Sequence, residues 1–428
     1  MKWKLILLVV IPFVAAWGCG EDAKQPAPPP PPPPAVPAPA PSGPAERPKA
    51  SPADVAEAVR GNNQFAVDLY AKLAAEKKDG NLFFSPLSIS TALSMTYAGA
   101  RANTAAEMKK ALHFALADEK LHPAMAALIG DLNAAGKAGG FQLSVANALW
   151  GQKGHLFLPE FLALNQASYG AGLETVDFAG DAEGARKTIN AWGAKQTQDK
   201  VKQLIKPGAL GALTSLVLTN AVYFKGEWAA KFDKTRTSDE AFKTAADKQV
   251  TVSMMEQERK LNYAEEDGFK ALELPYVGER LSMVILLPKE IAGIGELERS
   301  LSPASLAKWL SHLTVRSVWV KLPRLAMTCG SGLRDALRAL GAKDAFALPP
   351  ADFSGISGAK DVFISAVLHE ASIDVNEEGT EGAAGTAVVI YKNGDTPAMF
   401  RADHPFLFLI RDKKTGSILF LGRVTNPK

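Results

Sequence analysis

Glu377-Glu378-Gly379-Thr380-Glu381-Gly382-Ala383-Ala384-Gly385-Thr386-Ala387-Val388-Val389-Ile390-Tyr391-Lys392-Asn393-Gly394 is the stretch on which the reading of this chain turns. Ten residues, 382–391, carry no charge and lie between Glu381 and Lys392. Counted in twos, one face reads Thr380, Gly382, Ala384, Thr386, Val388 and Ile390, all small or apolar and able to lie against a core. The opposite face begins with Glu381 and ends with Tyr391. An ordinary strand with a glycine-rich start would explain the pattern, as would a flexible apolar loop. Glycine and alanine are nevertheless poor choices for a permanent strand. They suit a segment that lives as a loop and then slides into a sheet. Burial of Val388 and Ile390 would contribute ~1.5–3 kcal/mol each. With its ladder hydrogen bonds, a whole inserted strand would release on the order of 10 kcal/mol.

Outward from this stretch, Ser51–Lys428 has ordinary composition and reads as one domain. Helical patterns dominate its first half. Phe65, Leu69 and Leu73 predict a helix ending near Gly80, and Thr104-Ala105-Ala106-Glu107 matches a capping box opening another. β-Branched and aromatic runs dominate the second half: 213–225, 281–287, 315–322, 406–410 and 418–424. Asp412-Lys413-Lys414-Thr415-Gly416 predicts a hairpin turn between the last two. The fold class expected is α+β with much antiparallel sheet.

The N-terminal part is different. Residues 1–18 read as an export signal, with Lys2 and Lys4 before an apolar run from Leu5 to Ala16. Ala16-Trp17-Gly18-Cys19 resembles a bacterial lipobox, with Cys19 the lipidated residue; Trp17 is bulky for it. Of the 28 prolines, 13 fall between Pro26 and Pro48, which makes 19–50 an extended linker rather than sheet. At ~3.1 Å per residue that run would reach roughly 70 Å, a spacer for a head held off a surface. Export with anchoring to a bacterial membrane, facing the cell surface or periplasm, is expected, with plain secretion as the alternative.

With 48 basic against 45 acidic residues, no nucleic-acid partner is expected. Catalytic templates fail. Gly355-Ile356-Ser357-Gly358 lacks the spacing of a nucleophile elbow, and Gly293-Ile294-Gly295 meets Glu298 where a dinucleotide fold needs glycine. His113, His122, His155, His312, His369 and His404 lack metal-ligand spacing. Cys329 reads as a packed small hydrophobe, and Glu265-Glu266 and Glu377-Glu378 as solvated surface. Neither an enzyme nor a cofactor is expected.

The stretch at 377–394, with other segments, resembles the hinge and reactive-centre loop of the serpin family. Residues 81–90 (NLFFSPLSIS), 97–104 (YAGARANT), 218–228 (LTNAVYFKGEW), 403–408 (DHPFLF) and 420–427 (FLGRVTNP) resemble other serpin motifs in the right order, so the likeness spans Asn63 to Pro427. It implies three sheets, about nine helices and an exposed loop, about 377–400, that baits a serine protease. The covalent acyl-enzyme would be trapped as the cleaved loop enters the central sheet. The resemblance makes Glu377, Gly379, Thr380, Gly382, Ala384 and Thr386 the hinge, with glycine departing from the usual alanine at 382 and 385. It places Ser85, Ser88, Asn220 and His369 in a polar cluster that parts on insertion, and Trp228 beside the insertion point.

The attacked bond is open. Counting forward from the hinge places it after Asn393, and counting back from Pro405 places it after Gly394. A trypsin-like protease needs a cation, which favours Lys392-Asn393, with Asn393-Gly394 next and Tyr391-Lys392 behind. Papain-like cysteine proteases are a second target class, and a non-inhibitory carrier or chaperone is the same-fold alternative. Residues 121–132 hold no basic residue apart from His122, so no glycosaminoglycan partner is expected. The expected state is a monomer.

Overall fold

The computed structural model describes residues 49–137, 139, 141–380 and 396–428. Ser51 opens the first helix: its side chain accepts the Asp54 N–H, and Pro52 takes the first helical position, where a missing N–H costs nothing. The helices are α1 (Pro52–Glu76), α2 (Pro86–Tyr97), α3 (Ala102–Ala111), α4 (Asp118–Lys137), α5 (Pro159–Tyr169), α6 (Ala182–Gln196), α7 (Ile294–Ser300), α8 (Pro303–Ser311), α9 (Arg334–Ala339) and α10 (Ser354–Ser357). Phe65, Leu69 and Leu73 are buried on α1 as their spacing predicts; the helix stops at Glu76, before Gly80. The capping box does not form. Thr104 lies inside α3 and accepts the Asp352 N–H, while Glu107 accepts the N–H groups of Lys343 and Asp344. Both residues hold distant chain rather than their own helix end.

The strands are β1 (Leu82–Phe84), β2 (Phe141–Gln152), β3 (Leu173–Val176), β4 (Leu216–Glu227), β5 (Ser238–Ala245), β6 (Lys248–Glu265), β7 (Phe269–Pro275), β8 (Leu281–Pro288), β9 (Thr314–Pro323), β10 (Leu325–Gly332), β11 (Ile364–Asn376), β12 (Gly379–Thr380), β13 (Ala398–Arg401), β14 (Phe406–Asp412) and β15 (Ile418–Val424). The run read from Leu213 starts at Leu216, and Leu213 itself is exposed. Among the described residues the hydrogen bonds join these strands into two sets. A six-stranded sheet runs β10-β11-β12-β4-β2-β3. A nine-stranded set runs β1-β15-β14-β8-β7-β6-β9-β13, with β5 beside β6. The third sheet implied by the resemblance is continuous with the second, because the 18-residue β6 serves both. Its start pairs with β5, its middle with β9 and only Asn262–Glu265 with β7.

Helix α2 touches β2 and β4 of one sheet and β15 of the other, and all 12 of its residues are buried. Its hydroxyls therefore need internal partners: Thr91 donates to the Leu87 carbonyl at 2.7 Å and Ser94 to that of Ser90 at 2.7 Å. A smaller core, including Trp150, Phe178, Ile189 and Val217, brings α6 against β2. In the main core Phe83 lies between Phe408 and Phe420, with ring centroids 5.7 and 5.1 Å away. Phe83→Ala is expected to destabilise the protein by about 3–5 kcal/mol, seen as a lower melting temperature at pH 7.

Candidate functional site

Strands β4 and β11 are parallel neighbours, paired from Leu216 with Ile364 to Tyr223 with Ser372. Beyond that point a wedge enters. The chain leaves β11 at Asn376, turns through Glu377 and Glu378, and comes back as β12 between the two strands. Thr380 pairs with Val375 on one side and Gly226 on the other; Gly379 pairs with Asn376 and Glu227. The turn is set locally, since the Glu378 N–H donates to the Asn376 side chain at 3.0 Å. Gly379 has φ +148°, and a Cβ there would lie 2.1 Å from the Gly226 carbonyl oxygen. Only glycine fits.

Thr380 is fully buried and its Oγ1 meets the Tyr276 hydroxyl at 2.9 Å. Tyr276 stacks on Trp228 with centroids 4.7 Å apart, and the Trp228 indole N–H donates to the Asn376 carbonyl at 3.0 Å. Two carboxylates bolt the turn in place. Arg324 reaches Glu377 at 2.6 Å, and Thr237 also donates to it. Lys231 and Lys234 reach Glu378 at 3.0 and 2.9 Å. Burial alone would raise the Glu377 pKa, but the Arg324 and Thr237 hydrogen bonds outweigh it and the pKa falls. The Lys234 contact, then that of Lys231, lowers that of Glu378. The expectation of solvated surface for Glu377-Glu378 is thus overturned: both are buried. Cations from two distant segments make that burial possible, and local sequence does not show them. Tyr276, Arg324, Lys231, Lys234 and Thr237 were all missed in the sequence for this reason.

Lower on the seam, Ser85, Ser88, Asn220 and His369 come together. His369 on β11, Asn220 on β4 and Asn147 on β2 lie in register across the sheet. The Ser85 N–H, at the start of α2, donates to His369 Nε2 at 3.1 Å. Nε2 must therefore be bare, so Nδ1 carries the proton and donates to Asn220 Oδ1. The Asn220 amide in turn donates to Ser88 Oγ and Asn147 Oδ1. Burial holds the His369 pKa down to about 3. Trp228 lies beside the wedge, as described. Cys329 is partly buried on β10 and burial raises its thiol pKa, so no reactive thiolate is indicated. His122 is buried against the Tyr169 hydroxyl at 2.6 Å and burial lowers its pKa to about 4. Cys19, Gly382, Ala384, Thr386, Lys392, Asn393 and Gly394, with the segments 1–18 and most of 19–50, lie outside the described residues.

His369 and His122 have folded pKa values below the unfolded value of about 6.5, so their stabilising share is complete above that value. It is lost as pH falls from about 6.5 toward 3, because the unfolded chain then binds more protons. Melting temperatures measured from pH 7 to 4 should fall, and His369→Gln should flatten part of that slope. A second variant, Gly379→Ala, should unseat the wedge and raise hydrogen exchange at the Thr380 amide.

The Serpin (serine protease inhibitor) family profile matches residues 60–427. The leukocyte elastase inhibitor of Bos taurus is 45% identical over 375 residues, 86% of this chain and 98% of its own. Serpin48 of Tenebrio molitor superposes with a TM-score of 0.78 at 34% identity, covering 87% of this chain and 98% of its own. Human thyroxine-binding globulin, complexed with thyroxine, gives 0.79 at 30% identity, covering 88% and 100%. Match and geometry agree, and the chain belongs to the serpin family.

Proposed function

We propose that the protein is a suicide-substrate inhibitor of serine proteases, with the loop after Thr380 as bait. The observation that carries this reading is register. If the loop continued down the seam from Thr380 opposite Gly226, Thr386 would come opposite Asn220 and Ile390 opposite Leu216, the first residue of β4. On the β11 side, Thr386 would come opposite His369. A hydroxyl would thus arrive where the Asn220–His369 bond must break. Small or apolar residues would occupy every second place above and below it. The seam would be filled by Ile390, so the bonds around Lys392 would fall just past its end.

Within this reading Lys392-Asn393 is the attacked bond and the target is trypsin-like, with Asn393-Gly394 next. The name of the Bos taurus relative supports an elastase-type target instead, whose small primary pocket would not take Lys392. The thyroxine complex of the globulin supports a carrier. Incubation with trypsin and elastase, separated on denaturing gels, decides among them. A covalent complex with trypsin that Lys392→Ala abolishes is the result expected. A complex with elastase alone moves the target class, and clean cleavage with no complex favours the carrier. Export, a Cys19 lipid anchor on a bacterial membrane, the 19–50 spacer and a monomeric 51–428 domain complete the proposal. Cys19→Ala should move the protein from the membrane to the soluble fraction.

Thr380→Arg should convert inhibitor to substrate, since an unpaired guanidinium buried there costs several kcal/mol. Cleavage of the wild-type loop should raise the melting temperature by about 10 °C or more. Superimposable melts before and after cleavage would overturn the reading.

A further inference from the structure

Alternate residues of β6, Gln257, Arg259 and Leu261, line one side of a pocket of about 190 Å³. Trp228 and Leu274 supply apolar wall, and Ala229 stands at the exposed edge. Arg259 is half-buried there, yet none of the described residues forms an ion pair or hydrogen bond with its guanidinium. The other half-buried or buried arginines among the described residues, Arg186, Arg280, Arg411 and Arg423, each hold a carboxylate. Lys260 and Glu279 also line the pocket, so its formal charge with Arg259 is one net positive. A guanidinium in a pocket also lined by an indole and two leucines is suited to a planar anion with an apolar tail.

We infer that this pocket binds a small amphipathic carboxylate, its carboxylate on Arg259 and its apolar body against Trp228, Leu261 and Leu274. The volume is below that of drug-sized sites and admits a ligand of about ten non-hydrogen atoms. The pocket adjoins the wedge through Trp228, which bonds Asn376 and stacks on the Tyr276 ring whose hydroxyl meets Thr380. An occupant would therefore touch the side chain that ties the hinge to the sheet.

Phenylacetate is the probe. Titration of the intact, uncleaved protein, followed by saturation-transfer NMR and calorimetry, should give a Kd on the order of 1 mM or tighter. Phenylacetamide, which keeps the shape and lacks the charge, should bind at least about tenfold more weakly. Arg259→Met should weaken phenylacetate to the same degree, and Ala229→Trp should block it by filling the mouth. Equal binding of the acid and the amide would overturn the inference. So would absence of binding at about 10 mM, or unchanged affinity in both variants. No protease takes part, so these outcomes are separable from those that test the inhibitor reading.

Discussion

One constraint organises the molecule: β4 and β11 are parallel neighbours that the chain itself has begun to prise apart. Parallel neighbours are normally joined by a crossover and stay closed. Here the strand that leaves β11 doubles back into the gap, and Gly379-Thr380 has ladder partners on both sides. Below it, β4 and β11 still bond to each other. The same two strands are thus separated by β12 at one end and bonded directly to each other over the rest of the seam. The same seam also explains why a histidine is buried in the sheet. His369 and Asn220 face each other across strands that, on the proposed function, are joined at rest and part when the loop enters. A side-chain bond can be exchanged for another more readily than interlocked apolar side chains can be repacked.

Much of this was legible from residues. The alternation that starts at Thr380 makes that residue the head of a face suited to a core, and Thr380 is found buried; the rest of the face lies outside the described residues. The helical spacing on α1 and the apolar runs of β8, β14 and β15 appear where the pattern places them. What failed has a common cause. Thr104 and Glu107 have the spacing of a cap, yet their partners are Asp352, Lys343 and Asp344, more than 230 positions away. Glu377 and Glu378 look like surface until Arg324, Lys231 and Lys234 arrive from elsewhere. A polar residue's role depends on who stands opposite, which periodicity does not encode. The two continuous strand sets likewise depend on β6 being long enough to serve two neighbourhoods.

The wedge is held by contacts of different kinds. Its backbone bonds and the buried Thr380 hydroxyl are shielded from salt, whereas Lys234 is largely exposed and its attraction to Glu378 is screened by ions. Arg324 is also partly exposed, but its carboxylate partner is not. The turn is therefore anchored by Gly379, Thr380 and the buried Glu377 with its Arg324 and Thr237 partners, and the exposed Lys234 adds least. Trp228 belongs to both descriptions, since it serves the wedge through its N–H and the Arg259 pocket through its ring.

The bond from the Ser85 amide to His369 has a consequence for how long the resting form lasts. It fastens the seam to α2, a helix enclosed on every side and touching both sheets. Such a helix has nowhere to drift, so the gap cannot widen by small independent fluctuations of two strands. Widening has to recruit the interior as a whole. On the proposed function, that would make unprompted entry of the uncut loop a rare event and give an unused molecule a long shelf life.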